Sequence, residues 1–209
     1  MAEEKERLAP KSRIETLSDL IFGLALSIGA LTLIGQSPSS IQSLLLSLAY
    51  YGFSFLILVR VWYTYTQIMV DTYPETRKTF LANIGLLFLV SIELFLFNEL
   101  LTSNLPTEYL SIIYAFDLAG LFIVQAILAN SILTNKNHPN HVLYHYRLMR
   151  NILIASVAIL FVSCLPIFWI WIIPVDHGGI PLRFILWFIP ILLAPIIRRL
   201  FEKQRASTK

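Results

Sequence analysis

The chain has 209 residues, of which 56% are hydrophobic and 14% charged, and its formal net charge is +3. The apolar residues come in long blocks without a polar face, joined by short linkers, which excludes an ordinary soluble domain. The single cysteine, Cys164, excludes an intramolecular disulfide, and the modest positive charge requires no nucleic-acid partner.

In chain order, six membrane spans are predicted, over about residues 16–34, 41–69, 80–101, 109–133, 148–173 and 181–197. Each holds roughly the 20 residues needed to cross a ~30 Å hydrocarbon core. Tyr50, Tyr51, Trp62, Tyr63, Tyr109, Trp169 and Trp171 gather near the ends, where amphipathic rings favour the interface. Backbone groups in lipid must be satisfied within each segment, so the expected fold class is an all-α membrane protein. The first segment follows basic residues, as a signal peptide would. It is long for a signal and reaches Gln36 without a small-x-small cleavage site, so it is expected to be retained. Residues 1–209 are expected to form one six-span domain without a clear internal repeat.

Orientation follows from the basic residues. Lys5, Arg7, Lys11 and Arg13 precede the first span; Arg77 and Lys78 lie between the second and third. Lys136 and Arg147 lie between the fourth and fifth, with Arg150 just inside the fifth; Arg198, Arg199, Lys203, Arg205 and Lys209 follow the sixth. The alternate loops, around 35–40, 102–108 and 174–179, contain no lysine or arginine. Both termini are therefore expected in the cytoplasm, with the basic rim facing anionic lipid.

The first span opens with Arg13-Ile-Glu-Thr-Leu17-Ser18-Asp19 and then runs apolar. Charge at the edge of a bilayer is costly, so a charged pair there orients helices or lines a water-filled path. Downstream, Leu24, Ser27 and Leu31 are spaced three and four apart and share one helical stripe. The same span is rich in small residues, Gly23, Ala25, Ser27, Gly29 and Ala30, which suit close helix packing. The residues alone leave pore and packing both open.

The motif Arg13-x-x-x-Leu17-Ser18-Asp19 resembles the Arg-x-x-x-Phe-Ser-Asp signature of the transmembrane protein 175 family, the endolysosomal potassium channels and their prokaryotic relatives. Ser54-Phe55 and Trp62 in the second span, and Asn83 with Leu86-Leu87-Phe88 in the third, are similar to that family's helices. The chain departs from the family at Leu20, where a small residue is usual, and at Tyr65 and Thr66, where histidines are usual. It departs again at Glu93-Leu94-Phe95, in place of a Pro-Phe pair. The resemblance implies a single-repeat, prokaryotic-type member: a homotetrameric cation channel whose pore is lined by the first helix. It implies Leu24 and Leu31 as an apolar constriction and Ser27 as the hydroxyl contact for the ion. It implies Arg13, Ser18, Asp19, Trp62 and Asn83 as supports of the pore helix. A leucine ring can gate by dewetting, and a hydroxyl ring can partly replace an ion's water shell. No Thr-Val-Gly-Tyr-Gly filter loop and no arginine-every-third voltage helix is present.

Other polar residues interrupt the spans. Arg60 is placed near the cytoplasmic end of the second, where it either pairs with Asp19 or snorkels to headgroups. Glu93 and Asp117 fall in the outer parts of the third and fourth, and Arg183 opens the sixth on that side. They form either an outer acidic vestibule or interhelical and interfacial contacts. His138, His141 and His145 share a helical face, as a solvated stripe or a metal site. Pro166 and Pro190 are expected to kink the fifth and sixth spans, and Pro195 to kink or end the sixth. No nucleophile–base motif, His-Glu-x-x-His or phosphate loop appears, so neither enzyme activity, resident metal nor cofactor is expected. The expectation is a potassium-selective or potassium-preferring channel in a prokaryotic plasma membrane, with potassium as permeant ion. A secondary transporter or proton-coupled carrier, and a non-conducting scaffold, are the alternatives.

Overall fold

The structure, a computed structural model, describes residues 2–34, 40–72, 76–102, 107–134, 138–173 and 180–192. Five long helices follow one another: α1 (Ala2–Ile34), α2 (Ile41–Asp71), α3 (Arg77–Thr102), α4 (Thr107–Thr134) and α5 (Asn140–Ser163). Each contains a stretch long and apolar enough to cross a membrane. A 3-10 turn (Pro166–Phe168), the short strands β1 (Trp171–Ile173) and β2 (Ile180–Pro181), and a shorter apolar helix, α6 (Leu182–Leu192), complete the described chain. The protein is thus a nearly all-helical, multi-pass membrane protein.

Local chemistry sets the boundaries. α1 extends well ahead of the predicted span, because Ala2-Glu-Glu-Lys-Glu-Arg-Leu-Ala are strong helix formers. α3 starts after Thr76, whose hydroxyl accepts the Thr79 backbone N–H at 3.2 Å, a side-chain N-cap. The fifth helix departs from expectation at both ends. It begins just after Pro139 and stops at Ser163, so 164–173 is not part of it. Pro166 terminates this helix where a kink was expected: Leu165, before the proline, is extended (φ −62°, ψ 141°), as proline sterics require. The chain then turns through the antiparallel β1–β2 pair, in which Trp171 faces Pro181 and Ile173 faces Ile180. Pro190 lies within α6; Pro195 and the basic residues after it lie outside the described residues, as do the loop positions around 35–39 and 174–179.

α4 runs through the middle of the bundle and packs most extensively on α3 and α5. Tyr114, Ala115, Leu118, Leu121, Leu128 and Ala129 are almost wholly enclosed. At one end an aromatic cluster joins α2, α4 and α6: Trp187 lies 5.2 Å from Tyr114 and 4.7 Å from Phe184, and Phe53 lies 4.7 Å from Phe188. Arg183 anchors that end. It is fully buried, and its guanidinium donates to Ser163 O at 2.7 Å, Ser111 Oγ at 2.6 Å, Glu108 O and Cys164 O at 3.2 Å, and Leu165 O at 3.5 Å. The acceptors include the carbonyls left open at the end of α5, so a cation is well placed there. At the other end, the Tyr146 hydroxyl of α5 donates to Gln67 O and Asp71 Oδ2 of α2.

Candidate functional site

α1 has two unlike faces. Ser18, Phe22, Ala25 and Gly29, spaced four, three and four apart, are buried against α2 and α3. Gly29 permits a close approach, since a Cβ there would stand 3.1 Å from Leu94 Cδ2 and 3.4 Å from Tyr51 Cε2. The opposite face carries Leu20, Leu24, Ser27 and Leu31, all exposed; Leu20 (67%), Leu31 (61%) and Leu24 (57%) are the most exposed large apolar side chains in the described part of this helix. The small residues therefore divide. Ala25 and Gly29 serve packing, whereas Gly23, Ser27 and Ala30 are exposed. The Ser27 hydroxyl donates to Gly23 O at 2.8 Å, which points it along its own helix. Leu26 is partly buried against the core.

Two adjacent residues hold α1 to α2. The Ser18 hydroxyl donates to Ile14 O at 2.8 Å, which leaves its oxygen to accept from the Tyr65 hydroxyl at 2.7 Å. Trp62 Nε1 donates to Asp19 Oδ1 at 3.0 Å. Trp62 and Tyr65 are three apart on α2 and share a face, so they meet Asp19 and Ser18 side by side. Asn83 of α3 is buried beside Tyr65, and its amide completes no hydrogen bond of good geometry. Tyr65 was visible in the sequence only as a departure from the family pattern. Its spacing from Trp62 is the signal that could have identified it.

The expected Asp19–Arg60 pair is not formed. Arg60 instead donates to Thr64 Oγ1 at 2.6 Å, one turn along its own helix, while Asp19 is held by Trp62. Arg13 is exposed and makes no ion pair with Asp19. Gln125 of α4 donates to Val61 O at 2.7 Å, fixing α2 next to Trp62.

An exposed acidic vestibule is also absent among the described residues. Glu93 is completely buried and Asp117 nearly so, and Arg183 pairs with neither because its donors go to five oxygens elsewhere. His141 and His145 are exposed, and no group of His, Cys, Asp and Glu among the described residues could hold a metal ion.

Residues 13–93 match the family model for the endosomal/lysosomal potassium channel TMEM175. The match covers the first part of the chain, and over that segment the chain is similar to the TMEM175 family. The matched segment spans the α1 stripe, both α1–α2 contacts and Asn83. The fold is similar to a crystal structure described as a lysosomal potassium-selective channel TMEM175 homologue from Chamaesiphon minutus. The TM-score is 0.58 and the identity 22%, over 75% of this chain and 89% of that one. No curated protein is a significant match to the chain.

Proposed function

We infer that this protein is a TMEM175-type channel subunit, one of a homotetramer that conducts or prefers potassium through a pore lined by α1. The observation that carries this reading is the two-sided character of α1. One face is fixed to α2 and α3, and the opposite face presents Leu24, Ser27 and Leu31 exposed on the surface of the subunit. One such helix encloses nothing, but copies arranged around an axis close a path. Leu24 and Leu31 then form rings narrow enough to exclude water, and Ser27 supplies oxygen between them. Arg13, Ser18, Asp19, Trp62 and Asn83 position α1 and do not touch the ion. The host membrane is a prokaryotic plasma membrane with both termini cytoplasmic, following the basic residues.

The test is flux of potassium and sodium in liposomes carrying the purified chain. Passive potassium flux that needs no coupled ion supports the channel. Coupled flux supports a carrier, the reading that the buried Glu93 and Asp117 favour, and no flux supports a scaffold. Ser27→Ala should lower selectivity more than it raises conductance. Leu26→Ser should weaken packing without a leak. Labelling of single cysteines at 37–40 and 176–179 in a Cys164→Ala background should occur from outside intact cells; labelling at 140 or 206 instead would overturn the orientation.

A further inference from the structure

The most polar part of the interior lies away from the exposed face of α1. Glu93 of α3 is fully buried, and its Oε1 accepts from Ser54 of α2 at 2.8 Å and from Tyr114 of α4 at 2.7 Å. Its Oε2 has no hydrogen-bond partner. Asp117 sits on α4 one turn beyond Tyr114, is 6% exposed, and neither of its oxygens has a partner. Tyr114, which bonds Glu93, is three residues before Asp117 on the same helix, so the two acids flank the same part of the interior. Two carboxyl groups from different helices therefore share one enclosed region with three unsatisfied oxygens.

Among the described residues, no lysine, arginine or histidine bonds to either acid. The groups that face Glu93 are a serine from α2, and a tyrosine and an acid from α4. On the α1 side, the contact made by the adjacent Leu94 is a glycine, Gly29. Two ionised carboxylates here would be like charges in an apolar interior, each costly to desolvate and each repelling the other. A proton removes one of the charges. It also converts a bare oxygen into an O–H donor, and the other acid is an acceptor that lacks a partner. Ser54 and Tyr114 already occupy Glu93 Oε1, which leaves Oε2 and the Asp117 oxygens as the seats for that proton.

The geometry points to a proton-binding site inside the subunit, in which Glu93 and Asp117 hold at least one proton between them. The site is separate from the proposed pore and does not depend on it. It borders the pore helix all the same, because Leu94, next in the chain, makes the tight contact with Gly29, midway between Ser27 and Leu31. Its occupancy by a proton removes the repulsion between two like charges where α2, α3 and α4 meet.

Infrared spectroscopy of the purified full-length chain at neutral pH tests this directly, since exposed carboxyls are ionised there. The expected result is a carbonyl-stretch band of a protonated carboxyl that shifts in heavy water and is lost in the Glu93→Gln/Asp117→Asn double variant. Gln and Asn keep the shapes without the ionisation, so the double variant should melt close to the wild type. Carbon-13 labelling of glutamate and of aspartate in the wild type assigns the band even where the variant does not fold. Absence of the band, or its persistence unchanged under both labels, overturns the proposal. So does a band-free wild type whose melting temperature rises with potassium chloride, which would assign the site to a cation. Liposome flux of the same samples reports on the channel separately, so failure of one reading leaves the other standing or falling on its own data.

Discussion

α1 and α4 are both apolar enough to span a membrane, with mean hydropathies of 1.6 and 2.1 over their best windows. Yet 22% of the α1 window is buried within the subunit, against 56% for α4. Hydropathy does not distinguish a helix that closes a bundle from one that borders it, because lipid and protein core are equally apolar. The difference lies in how the faces are used. α4 is buried over much of its circumference, whereas α1 spends one stripe on its neighbours and leaves the opposite stripe free. Substitutions in the bundle should therefore cost stability, and substitutions on the free stripe should change permeation with the fold intact.

The largest effect is expected at the interior end. Arg183→Leu strands carbonyls at the end of α5 and the Ser111 hydroxyl, a loss on the order of 3 kcal/mol. Thermal unfolding in detergent should show a clear drop in melting temperature and a lower yield of monodisperse protein. A normal melting curve would mean that α4, α5 and α6 are held by apolar packing alone.

Next comes the free stripe. Leu24→Ser or Leu31→Ser should leave melting nearly unchanged but raise potassium leak in liposomes at least about tenfold, equivalent to about 1.4 kcal/mol of barrier. An unchanged leak together with a lowered melting temperature would reverse the assignment of faces. It would make α1 a packing element on both sides.

A smaller effect is expected where the two regions meet. Trp62→Phe removes the donor to the partly solvated Asp19 carboxylate, for a loss of about 1 kcal/mol. Asp19→Asn keeps an acceptor and should cost less. Both should lower the fraction of assembled oligomer, read by cross-linking or size-resolved mass. Altered selectivity with normal assembly would place Asp19 in the ion path instead.

The smallest is Gly29→Ala. Alanine favours the helix by about 1 kcal/mol over glycine, which offsets the few tenths of an ångström that Leu94 must yield. Melting should barely move, whereas Gly29→Leu, which needs far more room, should detach α1 and lower it. Equal tolerance of both would show that α1 does not need its close approach to α3.

Much of the fold was legible because hydrophobic length is a local property. α2, α3 and α4 lie close to their apolar blocks, whereas α1 starts well before its own. The fifth did not end where its block ends, because Trp171-Ile-Ile continues the apolar run after Pro166 has already broken the helix. The α1 stripe was legible from spacing and from the motif upstream of it. Its partners were not: Asp19 was matched by depth to Arg60, but azimuth around α2 turns Trp62 toward it and leaves Arg60 beside Thr64. Likewise Glu93 and Asp117 could be assigned a depth but no direction.

The sequence by itself determined that this is a helical membrane protein and that its first helix opens with a motif resembling the TMEM175 signature. These follow from composition, run length and charge, which need no knowledge of neighbours. Only the tertiary structure decided which face of α1 is committed to the subunit and which is exposed, that Tyr65 donates to Ser18, that Arg183 closes α5, and that Glu93 and Asp117 are buried with no basic side chain among the described residues bonded to either. Each of these depends on the rotation of one helix against another. That rotation is set by packing many side chains at once, and no single segment encodes it.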